Sequence, residues 1–160
     1  ILMGVAGKVL VITGYFTSHV NNSRVAGFIE EMKASCPEME VVGVQGSFDD
    51  AQEVEKVVEN TMRTIPELGG ILLVSSGQAG IRNAFDSLKL EHRPRVIIYD
   101  QTPKNEKILR EDTADFLIDQ SGYIQGYRPL HILADLLQKG LQPESEMIFT
   151  DITIKTKYNL

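Results

Sequence analysis

Cysteine is almost absent from this 160-residue chain. Cys36 stands alone, so no internal disulfide is possible and cysteine usage leaves the redox compartment open. Tryptophan is missing, and no apolar run reaches the roughly 18 residues of a membrane span. Basic residues are outnumbered 16 to 22, giving a net charge of −6. Such a chain is poorly suited to hold nucleic acid by its phosphates. The three histidines and the acids show no metal-ligand spacing. No G-x-G-x-x-G follows a strand and no G-x-S-x-G elbow occurs, which removes the usual marks of dinucleotide enzymes and α/β hydrolases. The stretch "TGYF" lacks the acids a receiver domain needs at the end of its first strand. No cofactor is expected, and the chain does not read as an enzyme.

What remains is an ordinary globular composition, 42% apolar and 24% charged, long enough for one domain with a real core. Strand and helix signals alternate. Strands are expected over 8–16, 39–45, 71–75, 95–99, 114–119 and 147–154. Helices are expected over about 22–35, 49–65, 77–90, 106–110 and 123–139. In the first helix Val25, Phe28, Ile29 and Met32 share a face; in the second, Val54, Val57, Val58, Met62 and Ile65 do. Gly140 is placed to cap the last helix, and Pro129 inside it is expected to kink or break it. Strands that are apolar throughout, alternating with helices, mean a parallel sheet covered on both faces: an α/β, doubly wound fold. Ligands of such sheets bind outside the carboxyl ends of the strands.

The expected strand ends carry a particular set of side chains. Thr17, Ser18, His19, Asn21, Asn22 and Arg24 follow the first strand. Ser75, Ser76 and Gln78 follow the third, Asp100 and Gln101 the fourth, Asp119 and Gln120 the fifth. Tyr15, Phe16, Tyr99 and Tyr123 lie near the same edge. Arginine forks and carboxylates each bind adjacent hydroxyls with two hydrogen bonds, and aromatic rings cover the apolar faces of sugars. No nucleophile–base pair stands out, so the set points to a sugar or polyol site. Several of these residues have two readings. Arg24, expected in a first helical turn where a cation opposes the macrodipole, is a ligand or Asp100 contact that adds almost nothing to apo stability, or a solvated surface arginine. Asp100 is a ligand acceptor or a turn acid in "YDQTP". Ser76 belongs to an anion cradle or caps the following helix. His19 faces the cleft or is merely exposed. Gly27 is expected to serve close helix–sheet packing.

The order of motifs "GKVLVITG", "RVAGF", "SFDDAQEV", "GGILLVSSGQAG", "VIIYDQT", "FLIDQSGYIQGY" and "LLQKGLQP" resembles the effector-binding domain of lactose-repressor and galactose-repressor type transcription regulators. These share the type I periplasmic binding protein fold with ribose-binding proteins. The resemblance implies a parallel sheet of order 2-1-3-4-5 and, over 1–160, one effector-binding lobe, mainly the C-terminal one. The opening "ILMGVAG" reads as the last turn of a helix in a longer chain, with the DNA-binding head and most of the first lobe upstream. The family's ligand contacts fall on Arg24, Asp100 and Gln120, with Ser76, Tyr15 and His19 as further candidates. Ser75-Ser76 stands where the family often has asparagine-aspartate, and Ile98 where it has glycine. The implied function is allosteric: a sugar-like effector bound by a cytoplasmic bacterial regulator that reaches operator DNA through its missing head and works as a homodimer, with helix 77–90 as a candidate interface. The alternative is a periplasmic sugar-binding protein of a transport system. Neither involves a membrane span in this chain.

Overall fold

The computed structural model describes residues 7–160. The opening residues read above as the end of a helix lie, up to Ala6, outside the described part. The elements run β1 (Gly7–Thr13), α1 (His19–Ser35), β2 (Met39–Gly46), α2 (Ala51–Thr64), β3 (Leu68–Leu73), α3 (Gln78–Leu88), β4 (Arg95–Tyr99), α4 (Pro103–Arg110), β5 (Phe116–Asp119), α5 (Gly122–Lys139) and β6 (Thr153–Lys155). They form one sheet of order β2-β1-β3-β4-β5-β6. The first five strands are parallel, as expected. β6 pairs antiparallel with β5, so the sheet is mixed at one edge. β6 is also only three residues long, far shorter than the apolar stretch 147–154 predicts. Met147, Phe149 and Ile152 are exposed, so their apolar character does not mark a buried strand here.

The core divides by sheet face. Leu10, Ile12, Ile71, Leu73, Val96, Ile98 and Leu117 point toward α2, α3 and α4, where Val54, Val58, Ile81 and Leu109 complete a dry layer. Val11, Leu72 and Val74 point the other way and meet Val25 and Phe28 of α1. Burial on both faces explains why the strands read as continuous apolar runs. The α2–α3 contact is close. A Cβ on Gly80 would come within 2.0 Å of the Ala51 carbonyl oxygen and 2.8 Å of the Glu55 amide. Gln78, Gly80, Ile81 and Ala84 are the buried residues of α3. Most of the small and apolar residues of "GQAGIRNAF" are therefore used within the lobe, with Ala79 exposed, which weakens the sequence argument for a dimer interface on helix 77–90.

Three further expectations change. α1 begins at His19, three residues early, because Ser18 caps it by accepting from the Asn21 amide. Arg24 is thus its sixth residue, beyond the turn where the macrodipole is felt. Gly27 faces open space, so helix–sheet packing does not require it. Pro129 does not divide α5, which runs unbroken to a left-handed Gly140 cap.

At the amino ends of β4 and β5 one carboxylate gathers the backbone. Asp115 accepts two bonds from Arg93 (2.7 and 3.1 Å), one from Arg95 (2.9 Å) and one from the Val96 amide (2.8 Å). Burial alone would raise its pKa; the bonds from Arg93, Val96 and Arg95 more than offset this and lower it.

Two stability predictions follow from this packing. Gly80→Ala must push α3 away from α2 and should destabilise the chain by about 1–3 kcal/mol, the usual cost of overpacking; an unchanged urea midpoint would refute the close approach. Asp115→Asn should cost about 1.5–3 kcal/mol at pH 7. Because the folded pKa lies below the unfolded value of about 3.9, this contribution is fully present above that value and is lost as pH falls through the folded pKa. Urea unfolding at pH 7 and near pH 3 should show the difference shrinking; a pH-independent difference would contradict the assignment.

Candidate functional site at the carboxyl edge

The loops leaving the carboxyl ends of the strands rest on a buried polar layer. Thr13, Ser47, Ser75, Gln78 and Asn105 are all buried. Ser47 Oγ donates to the Thr13 carbonyl (3.0 Å), and Gln78 Nε2 donates to the Ser75 carbonyl (2.9 Å). Asn105 Nδ2 donates to the carbonyls of both Tyr99 and Asp100 (3.0 and 2.9 Å). The same Asn105 gives its amide to Thr102, the cap of α4. One residue thus locks the turn after β4 to the helix that follows.

These anchors hold backbone that most residues avoid. Phe48, Asp49, Asp100 and Ser121 all lie on this edge with φ between 54° and 70°. A left-handed phenylalanine is a true outlier, and each strained residue costs on the order of 1–3 kcal/mol. Phe48 and Asp49 are fixed from two sides: the Phe48 amide donates to the Gly14 carbonyl (3.1 Å), and Asp49 Oδ1 accepts from the Ser76 amide (3.0 Å). The carboxylate fits because Gly14 has no side chain; a Cβ there would sit 2.3 Å from Asp49 Oδ1. The strain delivers an aromatic face. Phe48 is 60% exposed and its ring meets Tyr15 edge-on at 5.6 Å; Phe16, next to Tyr15 in the chain, is exposed as well.

Asp100 and Gln120 come together: Gln120 Nε2 donates to Asp100 Oδ1. Arg24 does not join them. Its Nη1 donates to the Val74 carbonyl at the end of β3 (2.6 Å), and its guanidinium lies 4.4 Å from the centre of the Tyr99 ring. Tyr99, half-buried, is raised in pKa by desolvation, against the opposing effect of Arg24 and with a further push from Asp100. Arg24 and Asp100 therefore flank one tyrosine rather than each other. Ser76 is on the edge, but it does not cap α3: the cap is Gly77 in a left-handed conformation, with no side-chain bond. His19 is the exposed first residue of α1. Among the described residues, no group of histidines, cysteines and acids is arranged to hold a metal.

Sequence reasoning missed Phe48, Asp49 and Asn105. Phe48 looked like an ordinary apolar residue before a helix, and Asp49 like a helix-start acid. The start of α4 carried a usable signal, since threonine followed by proline in "TPKN" marks a cap and a first helical position.

Comparison with known proteins places the chain in a family. A model of the periplasmic binding protein domain matches residues 2–141, and the chain belongs to that family. No curated protein matches the sequence. Solved structures match throughout. An ABC-transporter solute-binding protein from Burkholderia graminis, in complex with D-arabinose, is 29% identical with a TM-score of 0.85; the match covers 98% of this chain and 55% of that one. A solute-binding protein from Agrobacterium vitis, bound with α-D-tagatopyranose, is 23% identical with a TM-score of 0.88, covering 99% and 52%. The arabinose-binding protein AraP of Geobacillus stearothermophilus is 24% identical with a TM-score of 0.84, covering 99% and 57%. The chain thus spans little more than half the length of these structures.

The bond to Val74 and the contact with Tyr99 give Arg24 structural partners that the sequence reading did not expect. Arg24→Ala should lower unfolding free energy by about 1–2 kcal/mol. Chemical denaturation of the ligand-free protein measures it, and an unchanged midpoint would mean that the arginine is free.

Proposed function

We propose that this chain is one sugar-binding lobe of a solute-binding protein that delivers a monosaccharide or related polyol to a transporter. The observation that carries the reading is the carboxyl edge itself. A carboxylate and an amide, Asp100 and Gln120, stand on the same edge as the exposed faces of Tyr15, Phe16 and Phe48. Carboxylate and amide satisfy vicinal hydroxyls; the rings cover apolar sugar faces. Arg24 keeps four of its five donors for a ligand while its fifth holds β3. Ser76 lines the same cavity as Asp100, and His19 is exposed at the start of α1. The reading is of binding rather than catalysis, because no nucleophile–base pair stands out on the edge among the described residues.

A second lobe is part of the reading. α5 buries none of its residues, yet Leu130, Leu133 and Leu137 are exposed along it. An apolar stripe of this kind is a packing face for another body. Half a cleft leaves a sugar in water, where each hydrogen bond is weak, so the single lobe should bind poorly and the two-lobed protein well. Location outside the cytoplasmic membrane goes with a transport role. A DNA-binding regulator, cytoplasmic and dimeric, would use the same lobe and the same edge; the transport receptors among the similar structures favour delivery. The reading frame upstream separates the two, through either a helix-turn-helix head or a secretory leader.

Calorimetric titration of the full reading-frame product with D-arabinose, D-tagatose and D-allose tests the proposal. At least one should bind saturably, and Asp100→Asn should weaken it about tenfold to a hundredfold, the scale of hydrogen bonds to a charged group. No binding of any pentose or hexose, or equal affinity in the variant, would reject it.

A further inference from the structure

Two crossovers carry the chain from the sheet to α5 and back, at 119–122 and 150–153, and Gln120, on the first, is bonded to the second. Its side-chain amide donates to Asp100. Its backbone carbonyl accepts from Gln125 Nε2 in the first turn of α5 (2.8 Å) and from Thr150 Oγ1 on the returning segment (2.9 Å). Gln125 also reaches Thr150 Oγ1 (3.3 Å), and Ser121 Oγ donates to the Asp151 carbonyl (3.1 Å). The two crossovers are therefore pinned to each other at Gln120 and Ser121. Ser121 itself is left-handed, with φ 56°. α5 has no fully buried residue, and these crossovers join it directly to the binding edge.

We infer that the Asp100–Gln120 hydrogen bond is a positioning link that sets the orientation of α5 from the binding edge. The bond holds the Gln120 side chain toward the sheet, which fixes the peptide whose carbonyl receives Gln125 and Thr150. A ligand hydroxyl taking the Asp100 carboxylate competes directly for that bond, so occupancy of the edge biases the crossovers. A ligand shifts such an equilibrium only through different contacts in the two states, and this bond is such a contact. The inference rests on Asp100 as the sugar acceptor of the proposal above, but the link exists without ligand and is tested without it.

Hydrogen exchange on the ligand-free protein tests the link by swapping its partners. Gln120→Glu sets two carboxylates against each other and should speed exchange of the amides of Gln125 to Arg128 and Asp151 to Thr153 about threefold to tenfold, the scale of one hydrogen bond. Adding Asp100→Asn restores donor and acceptor in exchanged positions and should return those rates to within about twofold of the parent. The amides of Leu10 to Ile12, deep in β1, should not change in either protein. Unchanged rates in the single variant, or no recovery in the double, would overturn the inference. Recovery by the swap cannot come from general loss of structure, so misfolding does not mimic support. The sugar reading fails separately: a parent protein that binds no sugar while the swap rescues α5 leaves the link standing and removes its ligand.

Discussion

The approach of α3 to α2 at Gly80 is the constraint from which the carboxyl edge is built. With backbone against backbone, α3 cannot rotate or rise, and its first turn is fixed relative to the start of α2. That places the Ser76 amide opposite Asp49, and their bond holds the left-handed pair Phe48–Asp49. The pair in turn presents the Phe48 ring beside Tyr15. A packing contact between two helices, made on the dry face of the sheet, thus decides where an aromatic surface stands on the wet edge. Strain at functional sites persists only where the surroundings over-determine it, and here three loops and a helix contact do so.

Much of this was legible in the sequence. Helices α2 and α3 announced themselves by clean apolar stripes, and the five parallel strands by runs apolar throughout. The rule that ligands sit at the carboxyl ends of such strands narrowed the search to the strand-end loops, and the family resemblance then singled out Arg24, Asp100 and Gln120 among them. What stayed hidden was physical in kind. The direction of β6 depends on where α5 returns the chain, which no local pattern encodes. Phe48 gave no sign of a left-handed backbone, because that state is imposed by Gly14 and Ser76 from other loops. Gly80 read as a small residue on an apolar face, which fits an interface between copies as well as one between helices; only the position of the Ala51 carbonyl distinguishes them.

Arg24 shows how a misplaced helix start propagates. An arginine in a first turn opposes the macrodipole and calls for a ligand to explain it. In the second turn it needs no such excuse, and it satisfies the Val74 carbonyl at a strand end while stacking on Tyr99. Ligand contact and structural support are compatible in a group with five donors. The chain belongs to the periplasmic binding protein family, and the sugar contact proposed for Arg24 is compatible with its structural role.

The central claim is that the carboxyl edge forms one wall of a sugar cleft whose other wall packs on α5. A crystal structure of the full reading-frame product grown with the tightest-binding of D-arabinose, D-tagatose and D-allose tests it most directly. The account predicts a sugar ring with hydroxyls within hydrogen-bond distance of Asp100 and Gln120, an aromatic face from Tyr15, Phe16 or Phe48 against the ring, and Leu130, Leu133 and Leu137 buried against a second lobe. A sugar bound elsewhere on the molecule, or an α5 stripe still open to solvent, would contradict it.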